Sequence, residues 1–263
     1  MKLRLSRKNL CIPYAMFLVL FVIAPIFIML YYAFTDVDGK FTFSNFALIF
    51  SDVTVLSAAL ASVSIALITT LLCLLIGYPV AYILARSGLK HERTLLLLFI
   101  LPMWINFVLR MNALKEFLHI INILDKSPYV NTVIGMVYDF LPFMILPIYS
   151  VLVKIDDSLT EAAQDLGANW FRVFTKVTFP LSIPGIISGF TMVFLPAVTT
   201  FYISNIFGGG KVILIGNVIQ ERFLVADDWN FGSAMSIVMM VLVFISMKIM
   251  NLFEKRGINP SAR

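Results

Sequence analysis

One acidic side chain interrupts a long apolar stretch of this 263-residue sequence. Asp139 is the only Asp, Glu, Lys or Arg between Ser127 and Val153, and it lies about a dozen residues into that stretch. If the stretch crosses a membrane, the carboxylate lies near mid-membrane, where an acid costs about 2.5 to 3.5 kcal/mol on insertion scales. A partner must offset that cost. We expect a cation that passes through the membrane; the alternative is structural, with Asp139 protonated or paired with a polar group of a neighbouring chain.

Aromatic side chains in the same and nearby stretches can present π faces to such a cation. The candidates for this pathway are Tyr138, Phe143, Tyr149, Trp104, Phe201 and Tyr202. The alternative for each is a packing residue or an anchor at the membrane interface. A further group lies between two apolar stretches, where it can meet a partner protein or an incoming cation, or form a solvated turn. It consists of Asp227, Asp228 and Trp229.

The sequence predicts neither catalytic residues nor a metal site. Gly208-Gly209-Gly210-Lys211 resembles the end of a Walker A loop, but Val212 stands where a Mg-binding Ser or Thr belongs, and no glycine lies five residues before Gly210. The two histidines are isolated, and both cysteines lie in or at the ends of apolar stretches, so neither a ligand cluster nor a disulfide is expected. No Ser/His/Asp group or catalytic carboxylate pair is evident within any one segment, which leaves open a group assembled in space from several segments.

The elements that must position these residues are membrane spans. The chain is 60% hydrophobic and only 13% charged, whereas an ordinary soluble domain carries about 25% charged residues. About 20 apolar residues cross a hydrocarbon core, and six stretches are long enough. The sequence therefore predicts an all-α membrane protein of one domain, 1–263, with spans at about 11–34, 55–85, 94–112, 130–153, 183–207 and 231–252. The third span is short and contains Pro102, so it can be tilted or continue to Leu118.

Charge is distributed unequally between the two predicted membrane faces. With the N-terminus inside and six crossings, 14 of the 20 Lys and Arg residues lie inside, and the inner face carries +8 against −2 outside. Because short positive loops stay in the cytoplasm, both termini are predicted to be cytoplasmic. The first apolar run is about twice the length of a signal-peptide core, which predicts an uncleaved span. The net charge of +5 thus reflects topology, not affinity for nucleic acid.

The predicted cytoplasmic loop 154–182 differs from the other loops. Asp157 or Ser158 can cap a short helix, Glu161 falls in or near its first turn, and Gly167 is a natural stop. Ala162 and Ala163 give that helix a small face that another protein can approach closely. Trp170 and Phe171 can anchor it to the membrane part. The alternative is an amphipathic helix that lies on the bilayer.

The spacing within this loop carries a family resemblance. Glu161-Ala162-Ala163, three residues, Gly167, nine residues and Val177-Thr178-Phe179-Pro180 resemble the E-A-A-x3-G-x9-I-x-L-P loop of ABC-importer permeases. Val177 and Phe179 replace Ile and Leu of that pattern. Stretches such as Gly77-Tyr78-Pro79, Pro102-Met103-Trp104-Ile105-Asn106 and Asp228-Trp229-Asn230-Phe231-Gly232 are similar to spermidine/putrescine permeases in particular.

The resemblance implies a six-span, MetI-like permease of a type I importer in the bacterial cell membrane. It further implies a second permease, two ATPase subunits that carry ATP and Mg, and an extracytoplasmic polyamine-binding protein; this chain itself would bind no cofactor. The coupling residues implied are Glu161, Ala162, Ala163, Asp165, Gly167 and Pro180. Two alternatives remain: a permease for another solute, such as a different organic cation, and a stand-alone channel or scaffold.

Overall fold

The computed structural model describes residues 7–86, 88, 90–124 and 127–258. Both chain ends, 1–6 and 259–263, and the loop charges Asp125 and Lys126, to which the charge prediction assigned a side, lie outside the described residues. Helices dominate the rest. The bridge between Thr35 and Phe41 is the only β pairing within these ranges, so the predicted all-α fold is confirmed there.

The helices follow one another with short connections. In chain order they are α1 (Arg7–Leu18), α2 (Ala24–Ala33), α3 (Ser44–Ser51), α4 (Val53–Arg86), α5 (Glu92–Ile100), α6 (Phe107–Ile120), α7 (Pro128–Leu152), α8 (Asp157–Asp165), α9 (Trp170–Val173), α10 (Phe179–Thr199), α11 (Tyr202–Phe207), α12 (Ile215–Leu224) and α13 (Trp229–Ile258). Two π-helical turns join α1 to α2 (Val19–Ile23) and α9 to α10 (Phe174–Thr178), and a 3₁₀ turn, Leu101–Trp104, follows α5.

Five helical segments of the described chain are long and apolar enough to cross a membrane. They are Ile12–Ala33, Val53–Arg86, Pro128–Leu152, Trp170–Thr199 and Trp229–Met250. A sixth crossing exists if Thr94–Trp104 and Phe107–Ile120, which meet at a bend of 102°, form one broken span. The range predicted as one span, 94–112, thus contains a sharp break.

The break has a local cause in the sequence. Pro102 cannot donate a backbone hydrogen bond, and the chain becomes extended at Ile105 (ψ 144°). Asn106 then starts α6 as its N-cap, since its side chain accepts hydrogen bonds from the backbone N–H groups of Val108 and Leu109 at 3.0 and 3.3 Å. A second division falls in the range predicted as 183–207: α10 ends at Thr199, Thr200 is extended (ψ 146°), and α11 follows.

The chain forms two compact units. The first consists of Met1–Leu56 and Val218–Leu242, and the second of Ser57–Asn217 and Val243–Arg263. In the second unit, α7 and α10 pack closely because glycines of α10 face α7. A Cβ added at Gly185 would lie 3.0 Å from the carbonyl oxygen of Pro147, and one at Gly189 would lie 2.8 Å from the sulfur of Met144. Small residues at such contacts are typical of membrane helices.

In the first unit, two asparagines fix the end of α2. The Asn45 side-chain amide donates to the carbonyl oxygens of Ala33 (3.0 Å) and Thr35 (2.9 Å). The Asn230 amide donates to those of Tyr32 (3.0 Å) and Thr35 (2.7 Å). These bonds reach carbonyl groups in the last turn of α2 and, at Thr35, two residues beyond its end.

Candidate functional site

The short helix α8 begins one or two residues earlier than predicted. Its N-cap is Asp156, whose carboxylate accepts a hydrogen bond from the Ser158 backbone N–H at 3.0 Å. That bond lowers the pKa of the Asp156 carboxyl. The expectation that Asp157 or Ser158 is the cap is therefore wrong. Asp157 is instead the first helical residue, and its side chain pairs with Arg86 at the end of α4.

The predicted stop at Gly167 is confirmed in detail. Gly167 has φ +80°, a left-handed conformation that glycine adopts without steric cost. Its N–H donates to the carbonyl of Gln164 at 2.8 Å, and the N–H of Ala168 donates to that of Ala163 at 3.0 Å. These two bonds form a Schellman motif, which ends the helix sharply.

The surface of α8 carries an apolar stripe that the second unit leaves uncovered. Leu159, Ala162, Ala163 and Leu166 follow the i, i+3, i+4, i+7 spacing of one helix face. Leu166 is 90% exposed, Leu159 and Ala162 are exposed, and Ala163 is half-buried. Glu161 and Asp165 are exposed beside this stripe. The two alanines are among the predicted coupling residues, whereas the two leucines are not, although the same helical spacing links all four.

The rest of the loop attaches α8 to the helices behind it. The Trp170 ring stacks on Phe174 with centroids 5.8 Å apart, and Phe174 in turn contacts Tyr78 and Tyr82 of α4 edge-on at 5.9 and 5.6 Å. The anchoring role predicted for Trp170 thus has one supporting ring contact, although Trp170 (64%) and Phe171 (63%) are equally exposed. Pro180 is exposed at the second residue of α10, directly after the π-helical turn Phe174–Thr178.

The structure gives Asp139 an ionic partner within the chain. Its carboxylate pairs with the guanidinium of Arg110 on α6, and each side chain is only 9% exposed. Arg110 also donates from Nη1 to the carbonyl oxygen of Pro102 at 3.0 Å and lies 6.0 Å from the centre of the Phe107 ring. The pair therefore joins both helices of the bent pair, Thr94–Trp104 and Phe107–Ile120, to α7. This ion pair favours the structural alternative for Asp139 over the predicted substrate role, which no contact in the described chain tests.

The predicted aromatic residues do not form one cluster. Tyr202 contacts Phe107, beside the ion pair, with ring centroids 5.4 Å apart. Trp104 lies in the break and is 87% exposed. Tyr138 is exposed and Phe143 half-buried on α7, while Phe201 is half-buried before α11. Tyr149 is buried further along α7, where its hydroxyl donates to Glu92 at 3.5 Å.

The candidates at Asp227, Asp228 and Trp229 belong to a polar corner of the first unit. The indole N–H of Trp229 donates to Asp227 at 2.7 Å. Asp228 starts α13, since its carboxylate accepts from the Phe231 N–H at 3.1 Å. Arg222 lies 3.7 Å from Asp52 and 3.9 Å from Asp228, and these three residues line a cleft of about 270 Å³.

The three cationic partners in these contacts were not identified as partners from the sequence. Arg86 lies 71 residues from Asp157, and Arg110 lies 29 residues from Asp139. No local spacing signals pairs that are so distant in the sequence. Arg110 did carry one indication, because it lies inside the weakest predicted span, 94–112, which directly precedes the span that contains Asp139.

Long apolar helices, a bent helix pair with a buried ion pair, and a capped helix with an exposed apolar face in a loop together define a membrane-embedded helical protein. The chain belongs to the family of binding-protein-dependent transport system inner membrane components, whose model matches residues 77–258. It is therefore a multi-pass membrane permease of this transport class.

Curated relatives match almost the whole chain. The chain is 38% identical over 264 residues to the spermidine/putrescine transport system permease protein PotB of Haemophilus influenzae, covering 91% of this chain and 92% of the relative. It is 39% identical over 247 residues to the protein of the same name from Escherichia coli K12, covering 86% and 90%.

Solved structures share the fold at low sequence identity. A chain of a bacterial ABC transporter involved in the import of the acidic polysaccharide alginate matches with a TM-score of 0.71 at 16% identity, over 95% of this chain and 94% of that one. A chain of the MetNI methionine ABC transporter in an inward-facing conformation matches with a TM-score of 0.61 at 17% identity, over 77% and 95%. The predicted MetI-like permease fold is confirmed by these matches.

Proposed function

We propose that this chain is one of two permease subunits of an ATP-driven polyamine importer. Its partners would be a PotC-like permease, two PotA-like ATPase subunits that carry ATP and Mg, and a PotD-like extracytoplasmic binding protein. The chain would form half of the pathway and catalyse no reaction itself. Both of its termini would lie in the cytoplasm, as would loop 154–182.

The observation that carries the coupling role is the exposed stripe of α8. Four apolar positions on one face, two of them alanine, suit a groove that another subunit closes over the helix. The Asp156 cap and the Schellman motif at Gly167 fix both ends of α8 without a partner. A helix ordered in advance loses little conformational entropy when it docks. Glu161 and Asp165 add exposed acceptors beside the stripe.

The polyamine substrate is supported by 38% sequence identity to a PotB protein over 91% of the chain. Aromatic faces close to the break, namely Trp104 and Tyr202, suit organic ammonium groups. Broken membrane helices commonly line substrate pathways in transporters. Asp139 and Arg110 neutralise each other at the break. We therefore assign binding of the substrate cation to these aromatic faces, and give the Asp139 carboxylate a structural role as the partner of Arg110.

The test is uptake by the reconstituted whole complex. Proteoliposomes that contain this chain, its partner permease, the ATPases and the binding protein should accumulate spermidine or putrescine only when ATP is present. Unlabelled spermidine and putrescine should compete with uptake, whereas choline should not. If choline alone competed with uptake, the substrate would be another organic cation and not a polyamine. If the ATPase did not co-purify with this chain, the result would favour the alternative function, a stand-alone channel or scaffold.

A further inference from the structure

We infer that the cytoplasmic end of α4 is the element that receives the movement of α8 and passes it to the membrane spans. This inference rests on the proposed coupling function. It concerns a different set of residues, Tyr78, Tyr82 and Arg86, which lie four residues apart and therefore form one stripe of α4. The stripe is about 12 Å long at the helical rise per residue.

The members of the α4 stripe contact successive parts of the loop, with Phe174 shared by the two tyrosines. Arg86 pairs with Asp157 at the first turn of α8. Tyr82 contacts the Phe174 ring, on which Trp170 of α9 stacks. Tyr78 contacts Phe174 and Phe179, with ring centroids 5.9 and 5.8 Å apart. One helix face thus holds the beginning, the middle and the end of the loop.

A hydrogen bond fixes the deepest of these contacts. The oxygens of Tyr78 and Ser182 are 3.0 Å apart, and Ser182 Oγ lies 2.8 Å from the carbonyl oxygen of Phe179. Because the serine hydroxyl has one hydrogen, which it donates to Phe179, the tyrosine hydroxyl is the donor to Ser182. Tyr78 is buried, so this bond ties α4 to α10 in a water-poor site.

The ion pair between Arg86 and Asp157 can couple movements of α4 and α8. Its side chain is mostly buried, while Asp157 is exposed on α8. Nε and Nη2 of Arg86 are buried and have no hydrogen-bond partner in the described part of the chain. Asp157 therefore provides the ionic compensation for a guanidinium that has largely left water. A displacement of α8 that kept this pair intact would displace the end of α4 with it.

The coupling ratio tests this inference, measured as ATP hydrolysed per spermidine imported by the complete complex in proteoliposomes. We expect Arg86→Met and Tyr82→Leu each to retain the ATPase but to raise that ratio about tenfold, within the usual range of coupling between sites. Tyr82→Phe keeps the ring and should behave as wild type. Arg86→Lys keeps the charge and should recover most of the coupling. Asp38→Asn, which removes the exposed pair with Lys40, is the matched ionic control.

The outcomes separate this inference from the proposed function. If the wild-type complex neither retains the ATPase nor imports spermidine, the proposed function fails. If the wild type couples normally and both Arg86→Met and Tyr82→Leu keep its ratio, only the role of the α4 stripe is overturned. Loss of ATPase retention in both variants would also overturn it, since the contacts would then build the docking helix and not transmit its movement.

Discussion

At the scale of single residues, the Asp139–Arg110 pair explains how the chain offsets the free-energy cost of placing an acid within a membrane. A lone acid at mid-membrane is expensive, and the structure compensates it with a cation from the adjacent broken span. Arg110 suits the position better than lysine would, because its planar guanidinium reaches the Pro102 carbonyl and the Asp139 carboxylate at the same time.

Removal of one partner should therefore cost more than removal of both. We expect Arg110→Gln to destabilise the protein by about 3 to 5 kcal/mol, since it strands a buried carboxylate. The double variant Arg110→Met/Asp139→Leu should recover most of that loss, and Arg110→Lys should be intermediate. Thermal unfolding of the purified complex in detergent measures the order. An Arg110→Gln variant as stable as the wild type would contradict a structural pair.

The same pair bears on the predicted substrate role of Asp139. We expect Asp139→Asn to lower stability while leaving the KM for spermidine uptake close to wild type, because Arg110 already occupies the carboxylate. The measurement is the concentration dependence of uptake by the reconstituted complex. A raised KM at unchanged stability would instead make Asp139 a substrate contact.

Local chemistry was predictable from the sequence, while partners distant in the chain were not. The short helix and its glycine stop followed from local sequence signals, and the predicted N-cap, Asp157 or Ser158, lies one or two positions after the observed cap, Asp156. Arg86 and Asp157 meet only because α4 and the loop converge in three dimensions, across 71 residues. The break at Pro102 was visible as a weak span, but neither its 102° bend nor the contact of Arg110 with the Pro102 carbonyl was predicted.

At the scale of elements, the order of the loop depends on its two ends. Proline at 167 would be incompatible with φ +80° and would remove the N–H that donates to Gln164. We expect Gly167→Pro, and a bulky substitution such as Ala163→Trp, to abolish transport while membrane insertion remains. Uptake and membrane fractionation measure the two effects.

Gly39→Pro is the matched control for that variant. Gly39 also has a left-handed φ, +76°, and its N–H donates to a carbonyl, that of Asp36 at 3.0 Å, but it lies outside loop 154–182. It should leave ATP hydrolysis coupled to uptake. Normal coupling in Gly167→Pro, or an equal loss in Gly39→Pro, would argue against α8 as the coupling helix.

The Asp156 cap makes the order of α8 depend on pH. Because its hydrogen bonds to Ser158 lower the folded pKa, the cap is fully effective above the unfolded value of about 3.9 and is lost as the pH falls through the lower folded value. At neutral pH, Asp156→Ala should speed amide hydrogen exchange in α8, whereas Asp156→Asn should retain an acceptor and change it less. Equal exchange in all three proteins would show that the cap does not order the helix.

At the scale of the whole molecule, charge and helix length together predict the crossing pattern. Five helices can span by themselves, and the bent pair decides whether there is a sixth crossing. Six crossings place 14 of 20 Lys and Arg residues inside, which agrees with the retention of positive loops in the cytoplasm. A re-entrant pair would instead return the chain to the side it came from and reverse every later loop.

Labelling with a membrane-impermeant maleimide distinguishes these two patterns, and two single-cysteine variants suffice. Val37 is 97% exposed and Leu166 is 90% exposed, so a cysteine at either position can react; Cys11→Ser and Cys73→Ser remove the native thiols. If the bent pair crosses the membrane, three crossings lie between residues 37 and 166, and the two positions are on opposite sides. Val37→Cys should then react in intact spheroplasts and Leu166→Cys only after permeabilisation. Reaction of both from one side would mean that the break is re-entrant, and α8 would then lie on the wrong side of the membrane to meet an ATPase.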